Sequence, residues 1–241
     1  MEKINENKSG ILYLIPTVLA EGTESLVLPT QVIQAIQETE YFFVEDARTA
    51  RRFISGLKIG KQIADLHFYI VDKDTTKEKV KIYLNEISPK ANIGIISEAG
   101  CPGIADPGAL VVEQAHLLGR QVKPLVGPSS ILLALMASGF NGQSFTFHGY
   151  LPIEGTQRIK FLQQIEQEAV RSKRTQIFME TPYRNNQMLK DILEVCRTDS
   201  LLCIAANISS TKEFIKTMKI KNWKSAIPDL HKQPVIFLLY C

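Results

Sequence analysis

The stretch from Ser97 to Gly108, SEAGCPGIADPG, constrains the fold most strongly, because it places three glycines and two prolines within twelve residues. It follows an apolar run (Ala91 to Ile96) and precedes a segment with helical periodicity (Ala109 to Leu118). Glycine lets a ligand approach the main chain, and proline stiffens the backbone around it. A loop of this kind predicts a small-molecule site at the carboxyl edge of a parallel sheet. A tight connection that binds nothing is the alternative interpretation.

The order of the apolar runs predicts an α/β fold with two α/β domains. Strand-length runs alternate with helical patterns in the first half, which predicts a mostly parallel sheet with flanking helices. Consecutive strands near the end predict antiparallel pairing, and therefore a mixed sheet with helices. We expect an N-terminal α/β domain at 1–125, a C-terminal mixed α/β domain at 126–241 and a ligand cleft between them. The predicted strands are Ile11–Ile15, Tyr41–Val44, Ala91–Ile96, Gln121–Val126, Phe145–Phe147, Thr175–Met179, Leu201–Ala206, Phe214–Ile220 and Pro234–Tyr240.

The composition excludes several classes of protein. The apolar runs are too short to span a bilayer and the polar start does not resemble a signal peptide, so a cytoplasmic location is the default expectation. Four cysteines without a C-x-x-C pair argue against a disulfide framework and against a zinc site. Four scattered histidines show no metal-ligand spacing. We therefore expect reduced thiols and no metal.

The net charge of +3 says little about partners, but the basic residues are clustered. Such clusters are suited to binding phosphates, and solvated faces of helices and strands explain them equally well. The three clusters are Arg48, Arg51 and Arg52; Arg171, Lys173 and Arg174; and Lys212, Lys216, Lys219, Lys221 and Lys224.

The segment VEDAR follows the second predicted strand and contains Glu45, Asp46 and Arg48. Adjacent acids on an extended chain point to opposite faces, so we expect Asp46 to cap the next helix and one of the two acids to reach a ligand. That acid would be a general base or polar anchor, and Arg48 would pair with a phosphate or carboxylate. A helix cap beside a surface glutamate is the alternative.

Two further strand ends carry polar groups. VGPSS (Val126 to Ser130) predicts a helix start whose free amides suit an anion, or simply a capped helix. METPYR (Met179 to Arg184) joins an acid, a proline and an arginine, as a surface salt bridge also would. The chain has neither a P-loop lysine in VGPSS nor a G-x-G-x-x-G after the first strand, which argues against nucleotide hydrolysis and against dinucleotide binding.

The order and spacing of Pro16-Thr17, VEDAR, SEAGCPGIADPG, VGPSS, SGF, FHGYLP and METPYR resemble the tetrapyrrole methylase family of S-adenosylmethionine-dependent methyltransferases. The resemblance extends from about Ile11 to Tyr240 and is strongest to the branch of ribosomal RNA small subunit methyltransferase I. It implies 2′-O-methylation of a cytidine ribose in 16S rRNA, rRNA as partner and a homodimer that holds S-adenosylmethionine between its two α/β domains.

The resemblance also implies roles for individual residues. Glu45, Asp46 and Arg48 would face the substrate and carry the catalysis. The residues expected near the cofactor are Pro16, Glu98, Ala99, Ile104, Ser129, Ser130, Thr181, Ala205 and Pro234.

The chain departs from this branch in ways that leave other functions open. Glu98 stands where the branch usually has aspartate, Asn207 where it has glutamate, and the first loop is poorer in glycine. The branch also continues into a helical extension after the last strand, which is missing after Cys241. A methyltransferase acting on a tetrapyrrole or another small molecule is one alternative. A non-catalytic protein that binds S-adenosylmethionine or RNA is the other.

Overall fold

The structure, a computed structural model, describes residues 9–241. The described chain forms two compact units, of which the first ends at Pro128 and the second begins at Ser129. Both units consist of a five-stranded sheet with helices. The expectation of an α/β fold with two α/β units is therefore confirmed.

The sheet of the first unit is entirely parallel and has the strand order β3-β2-β4-β1-β5. Its central strands are short and buried, so they are continuous apolar runs rather than alternating ones. Two apolar clusters form its core. The strands are β1 (Ile11–Ile15), β2 (Tyr41–Val44), β3 (His67–Ile70), β4 (Ile93–Ile96) and β5 (Gln121–Pro124), and the α-helices are α1 (Glu24–Val27), α2 (Thr30–Gln37), α3 (Ala47–Gly56), α4 (Lys77–Glu86) and α5 (Gly108–Leu117).

The sheet of the second unit is mixed and has the strand order β6-β7-β10-β8-β9. The first two strands pair in parallel, and the remaining neighbours pair antiparallel. The strands are β6 (Phe145–Tyr150), β7 (Thr175–Met179), β8 (Leu201–Ala206), β9 (Phe214–Lys219) and β10 (Val235–Tyr240), and the helices are α6 (Ser130–Ser138), α7 (Gly155–Ser172), α8 (Asn185–Val195) and α9 (Ile220–Trp223).

A buried ion pair joins α7 to α8 on the same side of this sheet. Arg158 donates from Nε to Asp191 Oδ2 at 2.7 Å, and its Nη1 donates to the Ile153 carbonyl at 2.7 Å. Gln187 donates to the other Asp191 oxygen at 2.6 Å. Both charged side chains are more than nine-tenths buried, so each depends on the other for solvation.

Most predicted elements are present, with shifted ends. Pro29 is the N-cap of α2 rather than its first residue. The strand β3 was not predicted, because it is a four-residue edge strand without fully buried positions. All four cysteines are free, and within residues 9–241 no helix is long and apolar enough to span a bilayer.

Candidate functional site

Three neighbouring strands of the first unit end side by side. Ile96 at the end of β4 pairs with both Ile15 of β1 and Val44 of β2. Because the strands are parallel, the residues that follow them share one edge of the sheet. The structure therefore brings together Pro16, Glu45 and the segment that begins at Ser97.

The loop from Ser97 to Gly108 is fixed by its own hydrogen bonds. The Asp106 carboxylate accepts from the amide of Gly103 at 2.9 Å and from that of Gly108 at 2.7 Å. The Gly100 carbonyl accepts from the Thr17 amide at 2.9 Å. Gly100 and Gly103 have φ values of +73° and +83°, which other residues rarely adopt. The loop is thus a rigid wall, and its organising residue is Asp106, which the sequence analysis did not single out.

The two adjacent acids after β2 have different environments. Asp46 caps α3 by accepting from the Thr49 amide at 2.8 Å, as expected, and this hydrogen bond lowers its pKa. Glu45 is half-buried; burial, and then the nearby charge of Asp106, raise its pKa, although the Glu98 amide partly offsets them. Glu45 is therefore the better proton acceptor of the two near neutral pH.

A cavity of about 400 Å³ lies next to this edge, within the first unit. The loop after β1, one face of α3 and the start of the rigid loop enclose it. Its lining includes Thr17, Leu19, Asp46, Arg52, Phe53 and Glu98.

Acidic and basic groups meet in the wall of this cavity. Burial raises the pKa of Glu98, and the charge of Asp46 raises it further. Ala99 also lines the cavity, whereas Arg48 is exposed on the first turn of α3 and does not. Arg52 lines it instead, one helical turn after Asp46 and Thr49, a spacing that helical periodicity could have revealed.

Gly56 at the end of α3 offers a direct test of this cavity. It lines the cavity, and no atom lies within 4 Å of a Cβ built there. Gly56→Leu is expected to intrude into the cavity and lower methyl transfer by about tenfold or more, without loss of thermal stability, because leucine favours a helix over glycine. The control is Ser55→Leu, at the exposed neighbouring position outside the cavity. Equal activity of the two variants would show that the cavity is not used.

The segment after β5 lies very close to the end of β1. A Cβ built on Gly127 would overlap the ring of Pro16, so only glycine fits there. The Cys101 thiol donates to the Pro128 carbonyl at 3.4 Å, which ties the same segment to the rigid loop. Ile104, at the outer part of that loop, is half exposed.

In the second unit, two predicted strand ends and one strand start share an edge. Met179 of β7 pairs with Ile236 of β10, and Ala206 of β8 pairs with Val235. Since β10 is antiparallel to both neighbours, Thr181, Ala205 and Pro234 lie close to the same edge. The Ala205 side chain is buried in the sheet, which leaves its main chain for any ligand.

Ser129 and Ser130 lie at the beginning of α6. Ser129 is its N-cap and accepts from the Leu132 amide at 3.5 Å, and Ser130 is its first residue. Both side chains are partly exposed. Ser129 thus serves as the helix cap that the sequence analysis gave as the alternative for VGPSS.

A buried polar cluster follows β7. Glu180 Oε1 accepts from the Thr181 amide and from Arg184 Nη2, both at 2.6 Å. Asn185 donates to the Gln233 carbonyl at 2.7 Å, immediately before Pro234. Within the described residues, Glu180 Oε2 and Asn185 Oδ1 are buried without a hydrogen-bond partner. The predicted salt bridge is thus present, but Glu180 is buried, and two acceptors beside Thr181 and Pro234 lack donors.

Comparison with known proteins places this geometry in a context. The chain is 28% identical over 214 residues to ribosomal RNA small subunit methyltransferase I of Vibrio cholerae, covering 89% of this chain and 70% of that protein. It is 29% identical over 234 residues to the same-named protein of Haemophilus influenzae, covering 96% and 78%. The crystal structure of the methyltransferase CobJ has the same fold, with a TM-score of 0.63, 16% identity and coverage of 97% and 94%. No family profile matches the chain.

The two sheets and these relatives define an S-adenosylmethionine-dependent methyltransferase. The chain belongs to the tetrapyrrole methylase family.

The residues at the two sheet edges fit this cofactor. S-adenosylmethionine presents ammonium, amino and hydroxyl donors, and the buried acceptors Glu180 Oε2 and Asn185 Oδ1 lack donors of their own among the described residues. The rigid loop of the first unit adds main chain that no large side chain covers at Gly100 and Gly103. Within residues 9–241, no group of His, Cys, Asp or Glu side chains is placed to hold a metal ion.

Proposed function

We propose that the protein methylates RNA of the small ribosomal subunit, at the 2′-hydroxyl of a cytidine ribose. The half-buried carboxylate of Glu45 carries this proposal, because a ribose hydroxyl must lose its proton during methylation and Glu45 is suited to accept it. The relatives named as rRNA methyltransferases, which match most of the chain, support RNA as the substrate class.

The cofactor supplies an electrophilic methyl group on a positively charged sulfur. In the first unit we assign its contacts to Pro16, Glu98, Ala99 and Ile104, most of them through the main chain. In the second unit we assign them to Ser129, Ser130, Thr181, Ala205 and Pro234.

The protein's main contribution is to hold the hydroxyl oxygen in line with the methyl group. Such positioning is worth roughly 7 to 11 kcal/mol of a barrier, more than the ~10²- to 10⁴-fold of a general base. The hydrogen-bonded loop around Asp106 suits this role because its shape does not depend on the ligand. Glu45 takes the proton, Asp46 holds α3 in place, and Arg48 binds an RNA phosphate.

The test compares ribosomal RNA from cells with and without the gene. The purified protein should restore, with S-adenosylmethionine, a 2′-O-methyl group at one cytidine of small-subunit RNA from the deficient cells. Mass spectrometry of nuclease fragments identifies the nucleotide. The absence of any methyl transfer to that RNA, or transfer to a base atom instead, would contradict the proposal.

Replacement of Arg48 separates RNA binding from cofactor binding. Because Arg48 is exposed at the start of α3, Arg48→Gln is expected to weaken RNA binding by about tenfold and to leave the Kd for S-adenosylmethionine unchanged. Fluorescence anisotropy measures the first and calorimetry the second. Equal loss of both affinities would refute this division of roles.

A small-molecule substrate is the second candidate, and the cavity of about 400 Å³ favours it, because its volume suits a small ligand. Methyl transfer to a tetrapyrrole and not to RNA would establish it. We further propose a cytoplasmic homodimer, in keeping with rRNA as substrate. Sedimentation at several protein concentrations tests the dimer, and fractionation of cells tests the location.

A further inference from the structure

A second concave site lies in the second unit, away from the residues assigned to the cofactor. The helix α7 and the edge strand β6 enclose a groove of about 580 Å³. The groove lies near the start of β7, whereas Thr181 follows the end of that strand. Its lining includes Thr146, His148, Phe161, Arg171, Arg174 and Gln176.

The floor of the groove contains a polar pair held in a fixed orientation. Gln176 is fully buried, and its amide nitrogen donates to the Arg174 carbonyl at 3.1 Å. Its oxygen therefore faces His148 and accepts from Nε2 at 2.7 Å. This leaves His148 Nδ1 for another partner. The Phe161 ring stands edge-on to His148 at 5.4 Å and supplies an apolar surface beside it.

The rim of the groove carries more positive than negative charge. Arg171 and Arg174 share one carboxylate, that of Glu168, which Arg171 contacts directly and Arg174 approaches at 3.9 Å. Arg171 is 81% exposed, so its guanidinium is open to a ligand. Two arginines beside one acid leave a net charge of +1 at the rim, which attracts a phosphate.

We propose that this groove binds a single-stranded segment of the RNA substrate at a distance from the methylated nucleotide. Arg171 and Arg174 hold a backbone phosphate, and a neighbouring base packs against Phe161 and His148. A phosphate on the rim beside a ring in the groove is the combination that single-stranded RNA presents, because its bases are free to stack on protein rings. This inference depends on the proposed function.

Arginine variants test the phosphate contact. The double variant Arg171→Gln/Arg174→Gln is expected to weaken binding of a labelled small-subunit rRNA fragment by about tenfold. Its log-log dependence on salt should become shallower by about 0.7, the value for one lost phosphate contact on a single strand. KM for RNA should rise, while kcat and the Kd for S-adenosylmethionine stay unchanged. The matched control is Lys160→Gln, which removes an exposed charge from the same helix outside the groove.

Two further variants separate binding from a structural role. Glu168→Gln should strengthen RNA binding, because it frees both arginines, whereas loss of a merely structural ion pair would not. Phe161→Leu keeps an apolar side chain but removes the ring, and should weaken binding about fivefold.

The outcomes distinguish this inference from the proposed function. Unchanged RNA affinity and salt dependence in the double variant, with normal methylation by the wild type, would overturn the groove and leave the function standing. A wild-type protein that methylates no RNA would overturn both. A double variant that loses self-association rather than RNA affinity would show a contact between copies of the chain and would also overturn the inference.

Discussion

Glu45→Gln is expected to lower kcat for methyl transfer by about 10²- to 10⁴-fold, the usual contribution of a general base. Glutamine keeps the size of the side chain but cannot accept the proton of the ribose hydroxyl. Because the neutral amide removes a charge that Asp106 opposes, the fold should be retained. Single-turnover assays with saturating cofactor and RNA measure the effect.

The pH dependence of the wild type provides an independent check on Glu45. Burial and Asp106 raise the pKa of Glu45, so the carboxylate gains its proton at a higher pH than an ordinary glutamate. A base works only when deprotonated; kcat/KM should therefore fall as the pH drops through this raised pKa. Glu45→Gln should lack this acidic limb.

Asp46→Asn serves as the matched control for Glu45→Gln. Asp46 is exposed, and its pKa is lowered by the Thr49 amide, so it should not supply the limb. If Asp46→Asn removed the acidic limb and Glu45→Gln retained it, the roles assigned to the two acids would be wrong.

Asp191→Ala is expected to destabilise the protein by about 3–5 kcal/mol, the usual cost of breaking a buried ion pair. The substitution leaves the buried Arg158 guanidinium without its carboxylate, and α7 loses a link to α8. Urea denaturation followed by circular dichroism measures the change in the free energy of unfolding. The matched control is Asp199→Ala, whose exposed contacts with Lys219 and Lys221 should matter little.

A double variant decides whether the cost comes from the uncompensated charge. Arg158→Met/Asp191→Leu replaces both partners with apolar groups, so it should be clearly more stable than Asp191→Ala. Equal destabilisation of the single and double variants would mean that packing or the Ile153 contact, and not the charge, stabilises this junction.

Local patterns in the sequence were enough to predict most strands and helices. The buried strands of the first unit are continuous apolar runs, and the helix caps are signalled by residues such as Asp46 and Ser129. The order of strands in the second sheet was not predicted, because β10 pairs with β7 and β8 across long stretches of sequence. Periodicity describes a single element and carries no information about such distant partners.

Prediction of the candidate site was limited by side-chain environment. The glycine- and proline-rich loop indicated where a ligand site lies, but Asp106 acts through its own neighbours and only geometry reveals this. Burial separates Glu45 from Asp46, although both occur in the same motif. Burial also leaves two acceptors of the Glu180 cluster without partners. Burial results from packing by the whole unit, which no short motif contains.

The position of β10 has a consequence for synthesis on the ribosome. This strand is translated after β8 and β9, yet it lies between β7 and β8 in the finished sheet. Until it emerges from the exit tunnel, the nascent second unit exposes the edges of two apolar strands that have no neighbour on that side. The first unit can therefore mature during translation, whereas the second must wait and depends on chaperones that shield unfinished sheets.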